Sequence, residues 1–271
     1  MPELSIIIVS YNGRADLERC LTSLNKPPPA ISNEIIVVDN DSRDGSAESA
    51  ARFPRVSVVH AGSNRGFAAA CNLGFRASTS EMVLLLNPDT VVPPGAVDGL
   101  VRQFWSHSDV AVVGPRIVDG DAHPEVSFGP MVSPLAEWRQ KKLVKGVERR
   151  DRGILKRVDA MTRQEQWPDW VSGACLLVKR ADAEAVGLLD ERYFMYLEDV
   201  DFCAAIRARG RRILFVPTVE ITHLRGRSAA IASEGTHAAY RRSQLAFYRK
   251  HHPALAPILE LYLRARGEYQ M

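Results

Sequence analysis

Over the first 115 residues, apolar residues come in short unbroken runs divided by polar stretches. Leu4 to Val9, Glu34 to Val38, Val56 to His60 and Met82 to Leu86 read as strands. Their continuous apolar character marks strands buried on both faces. Between them Leu17, Cys20, Leu21 and Leu24 recur at helical spacing, Ser46 can cap a short helix, and Gly66 to Ala77 forms an alanine-rich helix. A helix around Gly95 to Trp105 precedes a strand at Val110 to Val113. This alternation predicts an α/β fold with a mostly parallel central sheet and helices on both faces.

From about Asp119 to Pro168 the periodicity dissolves into Pro, Gly and charge, which predicts an insertion or mobile loop. Order resumes with a strand at Ala174 to Val178 and a polar helix near Ala181 to Val186. Late strand segments follow at Ile213 to Val216 and Val219 to Thr222. From about Thr236 the chain reads as a basic, aromatic helical tail broken at Pro253.

The 271 residues are 46% hydrophobic and 25% charged, an ordinary globular composition. No apolar run reaches the roughly 18 residues a membrane span needs. Met-Pro-Glu-Leu-Ser leads straight into a strand without the charged and apolar regions of a signal peptide, so a cytoplasmic protein is expected. Cys20, Cys71, Cys175 and Cys203 are scattered among apolar neighbours, as buried free thiols are, which argues against zinc and against secretion. Charge is uneven. Arg139 to Arg157 holds nine Lys or Arg against Glu148 and Asp151, a local +7 that leaves −4 for the rest of a +3 chain. Such a block is either a solvated loop or a docking surface for anionic lipid or a phosphate-bearing acceptor. No aromatic interleaving or reader motif accompanies it, so nucleic acid is not expected as a partner.

Polar clusters follow three of the early strands: Ser10-Tyr11-Asn12, then Asp39, Asp41 and Asp44 in "VVDNDSRDGS", then Asn87-Pro88-Asp89 in "VLLLNPDTVV". Pro88 cannot join a sheet ladder and ends its strand, leaving Asp89 at the carboxyl edge where open α/β sheets bind ligands. One such loop is explained by turn chemistry alone. Three at corresponding ends of parallel strands converge on one cleft. There is no Gly-x-Gly-x-x-Gly or Gly-Lys-Ser/Thr phosphate loop. A phosphate would then be held through a hard divalent cation bridged to carboxylate, with Asp89 as first ligand. His223 could complete the shell of Mn²⁺, and Arg225, Arg227 and Ser228 suit phosphate oxygens. Further on, "YFMYLEDVDFCAAIRARG" sets Glu198, Asp199 and Asp201 at the start of a helix, with Gly210 as its left-handed cap. One acid there complements the helix dipole, but three in four residues exceed that need.

With these residues in view, the chain resembles the family 2 inverting glycosyltransferases of fold type GT-A, and within them the bacterial rhamnosyltransferase-like branch. "SIIIVSYNG", "IIVVDNDSRDGS", "NRGFAAACNLGF", "LLLNPDTVV", "WVSGACLLVKR", "GLLDERYFMYLEDVDFCAAIRARG" and "THLRGRS" occur in the family's order from about Leu4 to Ser228. The resemblance implies a nucleotide-sugar donor, dTDP-L-rhamnose or a UDP-sugar, and a saccharide or lipid-linked acceptor. Tyr11, Asp39 and Asp41 would hold the nucleoside, with Asn64, Gly66 and Asn72 lining the donor pocket and Arg225 and Ser228 near the diphosphate. Asp89 and His223 would bind Mg²⁺ or Mn²⁺, although Asn87 replaces the first Asp of the family's Asp-x-Asp motif. Asp199 aligns with the catalytic base, and Glu198 and Trp170 would meet the acceptor. Residues 1–115 would form the donor half, 116–235 (with its basic loop at about 119–168) the acceptor half, and 236–271 a helical tail able to touch a membrane surface or pair subunits as a homodimer. A sugar nucleotidyltransferase lacks support, since "SYNGRADL" has one glycine and no phosphate loop. A catalytically silent nucleotide-sugar-binding protein is the remaining alternative.

Overall fold

The structure, a computed structural model, describes residues 2–224 and 233–268, with only the backbone described over 233–236. Ten strands are described: β1 (Leu4–Ser10), β2 (Asn33–Asp39), β3 (Val56–His60), β4 (Met82–Leu86), β5 (Thr90–Val91), β6 (Val110–Val118), β7 (Phe128–Gly129), β8 (Trp170–Val171), β9 (Cys175–Lys179) and β10 (Arg212–His223). Eight of them form one sheet in the order β3-β2-β1-β4-β9-β6-β10-β5. β1 to β4 run parallel, and β10 runs parallel to β6. β9 is antiparallel to both neighbours, so its start lies at the edge where β4 and β6 end. Strands from both halves of the chain therefore interleave in one sheet.

β1, β4 and β6 are buried along their whole length. Their alternating side chains divide between two cores. Ile7, Val9, Ile36, Val38, Val83 and Leu85 pack on one face with α3 (Phe67–Ala77) and α8 (Glu198–Ala208). Leu4, Ile6, Ile8, Ile35, Val37, Leu84 and Leu86 pack on the other with α1 (Arg14–Ser23) and α4 (Ala96–Trp105). Each such aliphatic contributes about 1.5–3 kcal/mol by leaving water. Two-sided burial is what the unbroken apolar runs encode. All four cysteines are free and buried, as expected. α2 (Ser46–Ala50) and α7 (Arg180–Ala185) complete the flanks.

The segment 119–168 departs from expectation. It is not a loop but carries β7, α5 (Pro134–Glu148) and α6 (Arg152–Thr162). Ser133 and Asp151 cap the two helices, accepting from the amides of Ala136 and Ile154. No apolar stripe announced α5, because the residue it buries is Glu137. That carboxylate accepts from the Tyr240 hydroxyl at 3.0 Å, the Gln244 amide at 2.7 Å and the Tyr248 hydroxyl at 2.7 Å. All three belong to α9 (Ser233–His251) of the tail, which continues after a break at Pro253 into α10 (Ala256–Ala265). α6 is held similarly by Arg116, which pairs with Asp159 and Glu220. The two expected late strand segments join as β10, with a register shift between Val216 and Glu220.

Because one carboxylate moors α5, Glu137→Ala leaves three donors without their acceptor. Loss of stability on the order of 2–4 kcal/mol is expected, read as a drop of several degrees in melting temperature. An unchanged melting temperature would show that α5 is held some other way.

Candidate active site

Ser10 lies directly opposite Asp39 in the β1–β2 register, so the loops after β1, β2 and β4 emerge side by side. Two residues in these loops, Asn12 (φ 51°) and Asp41 (φ 73°), take left-handed backbone conformations although neither is glycine. Such conformations cluster at functional sites. The two loops are tied together: the Asn12 amide donates to Ser42 Oγ, and the Arg43 amide to Asn12 Oδ1. Asp39 is buried, accepts from the Ser42 amide and stands 3.5 Å from His60 Nδ1. Tyr11 and Asp41 are exposed at the rim.

After β4 the chain turns, and β5 pairs antiparallel with the end of β10, setting Thr90 opposite His223. Asp89 Oδ1 lies 3.1 Å from His223 Nε2, and the Asn87 amide nitrogen lies 3.5 Å from the same ring nitrogen. On the other side of the ring, Nδ1 is 3.3 Å from Glu125 Oε2, a buried carboxylate. Burial lowers the His223 pKa, but its bonds to Asp89 and Glu125 outweigh that and raise it to about 9. An Asp oxygen and an imidazole nitrogen this close, with a carboxylate behind the imidazole, form a donor set that fits a divalent ion.

Asp199 sits at the second position of α8. Its Oδ2 accepts from the Gly173 amide at 2.8 Å and its Oδ1 from the Val200 amide at 2.8 Å. Burial raises its pKa, against these amide bonds, which lower it. Its neighbour Glu198 is buried deeper, is pushed well above the usual carboxylate range by burial and then by the Asp199 charge, and has one oxygen without a hydrogen-bond partner. Burial and the neighbouring charge thus favour the neutral form of Glu198, while at Asp199 the backbone amides oppose the upward push of burial. Ahead of them Tyr196 and Leu197 take consecutive left-handed conformations, φ 71° and 67°.

Two adjacent residues at the entry to β9 tie the Asp199 and Asp89 regions together. Gly173 N–H donates to Asp199, while Ala174 C=O accepts from the Asn87 amide at 2.9 Å. The antiparallel entry of β9 makes this possible.

Not every expected residue lies in this cleft. Asn64 and Gly66 shape the loop before α3: Asn64 Oδ1 accepts from the Asn40 side chain and the Gly66 amide. Gly66 has φ 83°, and a Cβ there would run into the Phe194 backbone. Asn72 faces elsewhere. It is buried, with its amide bonded to Leu189 O and Glu191 and its oxygen accepting from the Leu189 amide. Trp170 is no exposed platform either. It is buried against Gly129 and donates to Pro130 O at 2.9 Å. Arg225 and Ser228, with Arg227, lie outside the described residues. Sequence reasoning missed Glu125 and Gly173, neither of which stands in a polar cluster, and passed over Asn40 between the two aspartates of the cluster after β2. Among the described residues, Asp119, Asp121 and His123 also bring ligand atoms within 4.8 Å of one another. Arg150 already pairs with both aspartates there, at 2.6 and 2.8 Å.

Residues 5–156, more than half of the chain, match the family described as Glycosyl transferase family 2. The chain belongs to this family. It is 30% identical over 261 residues to the N-acetylglucosaminyl-diphospho-decaprenol L-rhamnosyltransferase of Mycobacterium tuberculosis, covering 92% of this chain and 85% of that protein. A low-salt glycan biosynthesis hexosyltransferase of Haloferax volcanii is 26% identical over 227 residues, 82% of this chain and 67% of that one. Among solved structures, a mannosyltransferase from Pyrobaculum calidifontis in complex with GDP-Man and Mn²⁺ superposes with a TM-score of 0.63 at 17% identity, over 96% of this chain and 68% of that one. The fold is GT-A, and the protein is a glycosyltransferase of the rhamnosyltransferase-like kind.

A His223 pKa raised from about 6.5 in the unfolded chain to about 9 in the folded protein fixes the sign of a pH effect. The Asp89–His223–Glu125 bonds stabilise fully below about pH 6.5 and are lost as pH rises through about 9. In chelator, stability should fall across that window by an amount on the order of 2–3 kcal/mol, and His223→Gln should flatten the profile. Parallel profiles for the two proteins would refute the assignment.

Proposed function

We propose that this glycosyltransferase is a metal-dependent inverting enzyme that transfers L-rhamnose from dTDP-L-rhamnose to a saccharide carried on a lipid diphosphate in cell-envelope polysaccharide synthesis. The observation that carries the chemistry is Asp199, fixed by the Gly173 amide next to Ala174, whose carbonyl holds the Asn87-Pro88-Asp89 turn. The first relative's name, an L-rhamnosyltransferase acting on a decaprenol diphosphate sugar, supports the choice of donor and acceptor. A UDP-hexose or UDP-N-acetylhexosamine donor is the second reading, since Tyr11, Asp39 and Asp41 could receive either base.

Asp199 accepts the proton of an acceptor hydroxyl as that oxygen bonds to the anomeric carbon. The bond from that carbon to the nucleoside diphosphate breaks on the opposite face, and the anomeric centre inverts. Burial makes Asp199 a stronger base than a free carboxylate, while its two amide donors keep the anion in place. Glu198, buried beside it, supports Asp199 or the acceptor. Asp89 and His223 would hold Mg²⁺ or Mn²⁺, whose charge offsets that of the departing diphosphate. Tyr11, Asp39 and Asp41 receive the nucleoside at the β1 and β2 loops, and Gly66 and Asn64 shape the wall beside them. In this reading residues 1–115 serve the donor, 116–235 the acceptor, and 236–271 a docking tail.

No helix among the described residues is long and apolar enough to cross a membrane. α10 nevertheless exposes Ile258, Leu261 and Tyr262, and α5 exposes Leu135 and Trp138 with Lys142 stacked 3.7 Å over the indole. Apolar residues beside cations suit peripheral contact with the anionic cytoplasmic leaflet, where a lipid-linked acceptor resides. The same α10 face is where a homodimer would form.

With crude lipid-linked acceptor and Mg²⁺ or Mn²⁺, release of nucleoside diphosphate is expected from dTDP-L-rhamnose, followed by mass spectrometry, and is abolished by chelator. Asp199→Asn should lower kcat by about 10²–10⁴ with donor binding retained. Release from UDP-sugars alone would move the assignment to the second reading, and full activity in Asp199→Asn would remove the base from the mechanism.

A further inference from the structure

Tyr196 and Leu197 adopt left-handed backbone immediately before Glu198 and Asp199. Non-glycine residues enter that region at an energetic cost and stay there only when their surroundings hold them. The holding groups come from the C-terminal helix α9, outside the family-matched segment 5–156. Ser243 Oγ donates to the Met195 carbonyl at 2.7 Å. The Tyr240 ring meets the Tyr196 ring edge-on at 5.9 Å. Two residues beyond the proposed base, Asp201 is buried at 2% exposure. Its Oδ1 accepts from His251 Nε2 at 2.6 Å and the Tyr193 hydroxyl at 3.2 Å, and its Oδ2 accepts from Lys250 Nζ at 2.8 Å. Lys250 also reaches Asp190 at 2.9 Å. From the opposite side, the Phe67 amide donates to the Phe194 carbonyl at 2.7 Å, and Gly66 leaves room for that crossing. A helix start needs one acid for its dipole. Asp201 is instead engaged by side chains of another helix.

We propose that Asp201, Ser243 and His251 are positioning residues: through them the C-terminal helix holds the strained turn 194–197 and so aims Asp199 at the acceptor oxygen. This rests on Asp199 being the base. The groups read as holding donor and metal (Asp39, Asp89 and His223) belong to other elements. Releasing the turn on its α9 side changes the aim of the base, while Phe194 stays tied to Phe67 beside the donor wall, so donor binding is retained. A displacement of about an ångström at a reacting group can lower turnover by about 10²-fold.

The test uses the full-length chain with donor and lipid-linked acceptor, comparing Ser243→Ala, Asp201→Asn and His251→Gln for kcat, donor KM and melting temperature. Expected is a fall in kcat of roughly tenfold to a hundredfold with donor KM unchanged. Amides 195–198 should exchange hydrogen faster in Ser243→Ala. Tyr196→Gly, which makes the left-handed backbone free of strain, should recover much of the turnover lost in Ser243→Ala. If Asp201→Asn does not fold, Ser243→Ala, which removes one hydroxyl, carries the comparison. Unchanged kcat in folded variants, a change in donor KM alone, or no recovery with Tyr196→Gly would overturn the proposal. Retained turnover in Asp199→Asn would sink the base assignment by itself, and the exchange rates at 195–198 would still report on the clamp.

Discussion

The site depends on two adjacent residues, Gly173 and Ala174. The N–H of Gly173 fixes Asp199 and the C=O of Ala174 fixes Asn87, so two loops far apart in sequence are set at hydrogen-bond precision. They can do so because β9 enters the sheet against the direction of β4 and β6. A parallel strand there would present its far end and leave Asp199 without that donor. Topology and two hydrogen bonds thus act at one point.

The site's charges are sorted by local environment. His223 is held between two carboxylates, whose bonds outweigh burial and favour its cationic form. Glu198 and Asp199 are adjacent in sequence, yet one lies buried with an unpartnered oxygen while the other receives two amide protons. Burial and hydrogen bonding pull in opposite directions, and their balance differs by one step along the helix.

How much of this could be read from the sequence depends on the period of burial. β1, β2 and β4 were legible because two-sided burial writes unbroken aliphatic runs, and the polar stops after them marked the cleft edge. Asp89, His223 and Asp199 were legible as exceptions to that pattern. α5 was not, since it is held by Glu137 through hydroxyl and amide donors and carries no apolar stripe. Trp170 looked like a sugar platform because composition does not report exposure, and Asn72 looked like a ligand contact because the turn that consumes its amide lies 117 residues away. Glu125 was hidden for a related reason: only the return of β10 brings His223 to it.

The mooring of α5 has an evolutionary side. Three side chains bonded to one carboxylate constrain a few positions on the inner face of the helix and ask nothing of the outer one. Leu135, Trp138 and Lys142 can therefore drift without disturbing either core. A helix attached in this way is a replaceable part. The sheet and its carboxylates can stay fixed across a lineage while this outer surface is rewritten.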